Sequence, residues 1–206
     1  MYNSNMFSTQ QKYTSGKQWV IDTEYSDYQE LNQFLIPNPD QEYSYGTSAY
    51  FSKQYPLWCD AELAEEYYPH KRFENFVPHR AWEKEFKKIT SWTQAKLIEH
   101  KIMKNITPVI SWWMDYEPGG WQAMHKHNAN CITQVIYMDD PLINENTDAK
   151  DYCHGAMYAF LTDDKPLYLP LVGFKGRCVL MTGDIFHGVY PVKTTPRRAI
   201  IVDYII

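Results

Sequence analysis

Two histidines separated by one residue, His125 and His127, stand in the segment Tyr116-Glu117-Pro118-Gly119-Gly120-Trp121-Gln122-Ala123-Met124-His125-Lys126-His127-Asn128. In an extended strand, residues i and i+2 project from the same face, so both imidazoles can reach one metal ion. A third histidine, His187, lies in Thr182-Gly183-Asp184-Ile185-Phe186-His187-Gly188-Val189, after the apolar run Val179–Met181. Two ligands from one strand and one from a later strand cap three positions of a metal and leave the others open for substrate and oxygen or water. Beyond His187, at the entry to an apolar strand, come Arg197 and Arg198. An arginine fork pairs bidentately with a carboxylate. Taken alone, the pair reads more simply as two surface arginines after a Pro-containing turn.

Other residues have plainer readings. His70 and His79 adjoin prolines, His100 falls on a helix, and His154 precedes a strand; none is expected to act directly. Trp112, Trp113 and Trp121 flank the histidines, as walls of a pocket or, more simply for strand aromatics, as core. Asp115 and Asp184 are acids near the cluster that a metal site would draw on if it needed a carboxylate.

The elements that must position these groups lie mostly after residue 106. Pro108–Tyr116, Ile132–Met138, Ala156–Leu161, Tyr168–Val172, Arg177–Met181 and Ala199–Ile206 are β-branched or aromatic and separated by Gly, Pro, Asn and Asp, which predicts strands. Residues 80–104 carry Trp82, Phe86, Ile89, Leu97, Ile98 and Ile102 mostly on one side, predicting helix. Ser91-Trp92-Thr93-Gln94 could cap a second helix within that span. Short helices are expected at Tyr28–Leu35 and Ala61–Tyr67, with a strand near Ser48–Phe51. The division expected is a polar N-terminal arm at 1–17, which could equally be an early edge strand, a helical and irregular support at 18–106, and a β core at 107–206. Many short strands after a helical segment imply a mostly β barrel or sandwich with helical support.

At 206 residues the chain suits one decorated domain. Its net charge of −5 gives no electrostatic case for nucleic acid. Lys84, Lys87, Lys88 and Lys96 alternate with Glu83, Glu85 and Glu99, as on a solvated helix face. Cys59, Cys131, Cys153 and Cys178 lack CxxC or zinc-finger spacing and read as free thiols in a reducing compartment. With no signal pattern and no apolar stretch of ~18 residues, a soluble, cytoplasmic chain is expected and no membrane partner.

The order Tyr116…Gly119…His125-x-His127…His187…Arg197 resembles the 2-oxoglutarate- and iron(II)-dependent oxygenases, whose pattern is Tyr-x-x-Gly, His-x-Asp/Glu, a distal His, and Arg or Lys about ten residues later. The likeness covers roughly residues 107–206. The Tyr-rich leader and small size also resemble oxygenases encoded in bacteriophage genomes. The resemblance implies a double-stranded β-helix (a jelly-roll, cupin-like barrel) with Fe(II) held by His125, His127 and His187. It implies 2-oxoglutarate and O2 as co-substrates, the far carboxylate of 2-oxoglutarate meeting Arg197, helped by Tyr116. It implies oxidative decarboxylation to succinate and carbon dioxide, coupled to hydroxylation of a substrate that the sequence does not name. Arg198 is the alternative partner, because both faces of the final strand are apolar; the ten-residue spacing and the small Ala199 favour Arg197. The departure from the family is His127, where a carboxylate is expected.

The rivals share the fold or lack catalysis. Gly119…His125-x-His127 partly fits the first cupin motif, without its later Glu, which suggests a three-His metal enzyme that does not use 2-oxoglutarate. A three-His zinc hydroxide site is a further option. A non-catalytic β-helix used for ligand binding or assembly is the reading from a different class.

Overall fold

Three runs, Cys131–Tyr137, Arg177–Thr182 and Arg197–Ile205, are buried at nearly every position. A strand can be so only when both its faces are covered. The computed structural model describes residues 10–37, 49–68, 80–102, 105–139, 155–171, 174–193 and 197–206. Among these, the strands in chain order are β1 (Gln11–Ser15), β2 (Gln18–Glu24), β3 (Ala49–Cys59), β4 (Thr107–His125), β5 (Cys131–Tyr137), β6 (Met157–Leu161), β7 (Leu167–Leu171), β8 (Arg177–Thr182), β9 (Phe186–Val189) and β10 (Arg197–Ile205). The helices are α1 (Ala61–Tyr67) and α2 (Arg80–Glu99), and a 3-10 segment spans Ser26–Phe34.

The strands pair antiparallel in the order β1-β2-β8-β5-β10-β4-β9-β6-β7, with β3 joined to β4 as a branch. The turning point is β4. Its first half pairs with β10, β3 follows it as far as Gln122, and beyond the Gly119–Gly120 pair it meets β9 through Gln122 and His125. The ladder therefore curls into a nearly closed barrel, a double-stranded β-helix. Side chains close the remaining seam. Ser15 Oγ donates to Lys165 O at 2.8 Å and accepts from Asp164 N at 2.9 Å, while Gln18 Oε1 accepts from Thr162 N at 2.6 Å.

Alternation divides the buried residues into two cores. Ala199 and Ile201 of β10, Val179 and Met181 of β8, and Trp112, Met114 and Tyr116 of β4 line the barrel interior. Ile200, Val202 and Tyr204, with Cys178, Leu180 and Trp113, face the helical layer. That layer is α2, whose Trp82, Phe86, Ile89 and Leu97 are buried, together with Leu31 of the 3-10 segment. A polar tie fixes α2 on the sheet: Thr93 Oγ1 and Tyr204 OH both donate to Gln134 Oε1, at 3.1 and 2.7 Å. On the outer face of α2, Lys87–Glu83 at 3.1 Å and Lys96–Glu99 at 2.9 Å are exposed ion pairs. They form the solvated face expected there and stabilise little.

The structure differs from the sequence expectations in identifiable places. The barrel does not begin at residue 107, because β1 to β3 contribute strands from before it. The polar composition of β1 reflects an edge strand whose side chains mostly face water. The expected helix at Tyr28–Leu35 is a 3-10 segment, Ser26–Phe34. Helix α2 runs unbroken through Ser91–Gln94, since Thr93 bonds across to the sheet instead of capping. Ile98 is half exposed, and the short strand β9 adds to those expected.

Candidate metal centre

His125 ends β4 and His187 lies on β9, where the two are register partners. His127 sits just past β4, in a loop held by its own backbone N–H donating to Gly183 O at 2.7 Å. The close approach requires glycine: a Cβ on Gly183 would stand 2.2 Å from Asn128 O. Gly188 is equally constrained, because a Cβ there would meet Gln122 O at 2.7 Å between β4 and β9.

The three imidazoles converge. One ring nitrogen from each lies within 4.8 Å of the others, forming a group able to hold a metal ion. The rings are oriented by what each Nδ1 meets. That atom lies 2.9 Å from Ala123 O in His125, 2.7 Å from Asp203 Oδ2 in His127, and 3.0 Å from Ile185 O in His187. With each Nδ1–H donated to an oxygen, every Nε2 keeps its lone pair for a metal. Burial and the two neighbouring imidazoles hold His187 well below its ordinary pKa, so it stays neutral and able to ligate. The donor set therefore fits a divalent ion that accepts imidazole, such as iron or zinc. Gln122 Nε2 lies 3.2 Å from His125 Nε2 and competes with an ion for that lone pair, while Gln122 Oε1 accepts from Tyr116 OH at 2.7 Å.

The histidines open onto a barrel pocket lined also by Trp112, Tyr116 and Arg197. Arg197 is 2 % exposed and points into it, its guanidinium carbon 5.0 Å from the Tyr116 ring and 4.7 Å from that of Tyr137. Among the described residues no carboxylate pairs with it, and its Nε has no hydrogen-bond partner. A buried, unpaired cation is costly, which marks this end of the pocket as a seat for an anion. Burial pushes the Tyr116 phenol up to about 12, with Arg197 pulling the other way, so it remains a hydroxyl donor.

The other candidates are placed as follows. Arg198 turns to the opposite face, where Nε and Nη2 donate to Asp139 at 2.8 and 2.9 Å, and it takes no part in the pocket. Asp115 is its cross-strand neighbour on that face, and Asp184 accepts from Gln18 at 3.2 Å; neither joins the histidines. Trp112 lies over His127 at 6.1 Å, Trp113 packs on Tyr55 in the helix-side core, and Trp121 stacks on half-exposed Tyr50. His100 lies at the end of α2, away from the group. His70, His79, His154 and Cys153 lie outside the described residues. Sequence reasoning missed Gln122 and Asp203. For Asp203, a signal existed: a single acid on the Arg197–Ala199–Ile201 face of an otherwise apolar strand.

Neither a protein-family model nor a curated protein matches the chain. Solved structures do. A 2OG-Fe(II) oxygenase family oxidoreductase from Burkholderia pseudomallei matches with a TM-score of 0.62 at 10% identity, covering 90% of this chain and 84% of its own. The fold is that of the 2-oxoglutarate/iron(II) oxygenases. Another oxygenase-fold neighbour, HygX from Streptomyces hygroscopicus, solved with nickel and 2-oxoglutarate bound, gives 0.56 at 10% identity over 90% of this chain and 82% of its own. A Pseudomonas putida prolyl-4-hydroxylase gives 0.50 at 13% identity over 87% and 82%. The likeness to phage-encoded oxygenases finds no support in these neighbours.

Proposed function

We propose that the chain is a non-haem iron(II) dioxygenase that couples oxidative decarboxylation of 2-oxoglutarate to hydroxylation of an organic substrate. The observation that carries this reading is one pocket holding both a convergent three-imidazole group and a buried guanidinium without a carboxylate partner among the described residues. HygX, of the same fold, is described with a divalent metal and 2-oxoglutarate together.

Iron, when bound, would supply the activation of dioxygen. The rest falls to the chain. His125, His127 and His187 would hold the ion, each through its Nε2. Arg197 receives the far carboxylate of 2-oxoglutarate, and the Tyr116 ring keeps the guanidinium in place through its face. Trp112, Met114, Val135, Val189 and Ile201 give the pocket an apolar wall that limits water. The three thiols at Cys59, Cys131 and Cys178 are free, which suits the reducing, cytoplasmic location proposed here.

Anaerobic reconstitution with Fe(II), followed by measurement of succinate from 2-oxoglutarate with and without oxygen, tests the reading before any substrate is known. Oxygen-dependent succinate supports it. Iron binding without 2-oxoglutarate binding at millimolar concentration leaves a three-His metal enzyme that does not use this co-substrate. Absence of metal binding leaves a β-helix that binds or assembles without catalysis.

A further inference from the structure

A buried carboxylate orients His127. His125 and His187 each face the backbone carbonyl two residues earlier, whereas His127 Nδ1 lies 2.7 Å from Asp203 Oδ2. Asp203 is completely buried on β10. Its Oδ2 also accepts from Tyr68 OH at 2.5 Å, and its Oδ1 accepts from Thr133 Oγ1 at 2.7 Å. Burial and the adjacent Asp203 hold the Tyr68 phenol far above its ordinary range, so it serves as a fixed donor. Three elements thus clamp one carboxylate: the end of α1, β5, and the loop that carries His127.

We propose that Asp203 is a positioning residue of the metal centre, acting through His127 to orient the ring and to lend it negative charge. The proposal rests on the metal reading above and adds the origin of the charge balance. Three neutral imidazoles leave a divalent ion formally dicationic. Three imidazoles with one carboxylate behind them carry the same formal charge as two imidazoles and a direct carboxylate ligand. In this chain the anion has moved one ring outward. A carboxylate behind a ligating imidazole fixes its tautomer and strengthens its Nε2 as a donor, and removing such a partner typically weakens metal binding by about 10- to 100-fold. Asp203 shares the inward face of β10 with Arg197, Ala199 and Ile201. The same strand therefore supplies a cation toward one part of the pocket and an anion behind the histidines.

The test uses Co(II), which is stable in air and coloured. It is titrated into wild type, Asp203→Asn, His127→Asp and the double variant. Asp203→Asn is expected to lose about 10- to 100-fold in Co(II) affinity and to shift the visible bands. In the His127→Asp background a carboxylate can reach the metal directly, and the ring through which Asp203 acts is gone. There Asp203→Asn should leave Co(II) binding no weaker. Equal losses in both backgrounds, or a wild-type affinity and spectrum for Asp203→Asn, would overturn the proposal. If Asp203→Asn does not fold, Tyr68→Phe carries the test. It takes one hydrogen bond away from Oδ2 and leaves the carboxylate a stronger acceptor for His127, so the Co(II) bands should shift from their wild-type positions; unchanged bands overturn it. Wild type that binds no Co(II) at all removes the metal reading, and the proposal with it.

Discussion

Arg197 and Tyr116 are register partners across β10 and β4, and the guanidinium carbon lies 5.0 Å from the phenol ring. The contact keeps a charged fork inside the barrel without neutralising it, and its Nε stays without a hydrogen-bond partner among the described residues. Arg197→Ala is expected to weaken 2-oxoglutarate binding about 10- to 200-fold, taking ~1.5–3 kcal/mol for a charge-assisted hydrogen bond. Arg198→Ala, which removes only the outward pair with Asp139, should change it little. Calorimetric titration of the Mn(II)-loaded variants under nitrogen checks both; a large loss in Arg198→Ala and none in Arg197→Ala would refute the assignment.

The pH dependence of the metal-free protein should carry the mark of His187. Its folded pKa is held well below 6.5 by burial and by the other two imidazoles. The unfolded chain takes up a proton near pH 6.5 while the folded chain does not, so unfolding binds a proton below that pH. Stability is therefore lost as pH falls through about 6.5, at up to ~1.4 kcal/mol per pH unit from this group. Urea unfolding at pH 7.5 and 5.5 should show a smaller loss in His187→Gln than in wild type.

Gly183→Ala should be costly. The added Cβ falls 2.2 Å from Asn128 O and 3.1 Å from Cys131 O, both backbone atoms that cannot swing away. A loss of about 1–3 kcal/mol is expected from overpacking, with weaker metal binding because the His127 loop must shift. Thermal unfolding and a Co(II) titration measure the two effects; an unchanged melting temperature would show that the loop has room.

Thiol chemistry gives an independent check on burial. Burial pushes Cys178 up to about 12 and Cys131 up to about 11. Both should resist iodoacetamide at pH 8 in the native protein and react on unfolding, since the thiolate is the nucleophile. Mass spectrometry of digested, alkylated protein reads this directly.

The histidine group was legible because residue type and spacing carry the signal: few structural roles put His-x-His at a strand end and another His beyond a later strand. The strands after residue 106 were legible for a similar reason, their β-branched and aromatic runs being cut by turn residues. The choice between Arg197 and Arg198 could not come from alternation. With Ala199 and Ile201 in one core and Ile200 and Val202 in the other, both faces of β10 are equally apolar. Spacing from His187 and the small Ala199 decided it. The polar stretch at 1–17 left arm and edge strand both open, because its composition suits either until the sheet is known, and β2 beside it was not anticipated. Asp203 escaped because its partners, Tyr68, Thr133 and His127, are scattered through the chain and meet only when the barrel closes.

Strand β10 lies between β5 and β4 in the sheet, although both precede it by a long stretch of chain. Its pairings with β4 join residues far apart in the chain, so loop closure weighs against them. The same strand carries Arg197 and Asp203. Before it inserts, His127 lacks its carboxylate and the pocket lacks its cation. On the roles proposed for Asp203 and Arg197, a chain in which β10 has not docked would offer a metal and its co-substrate a weaker seat.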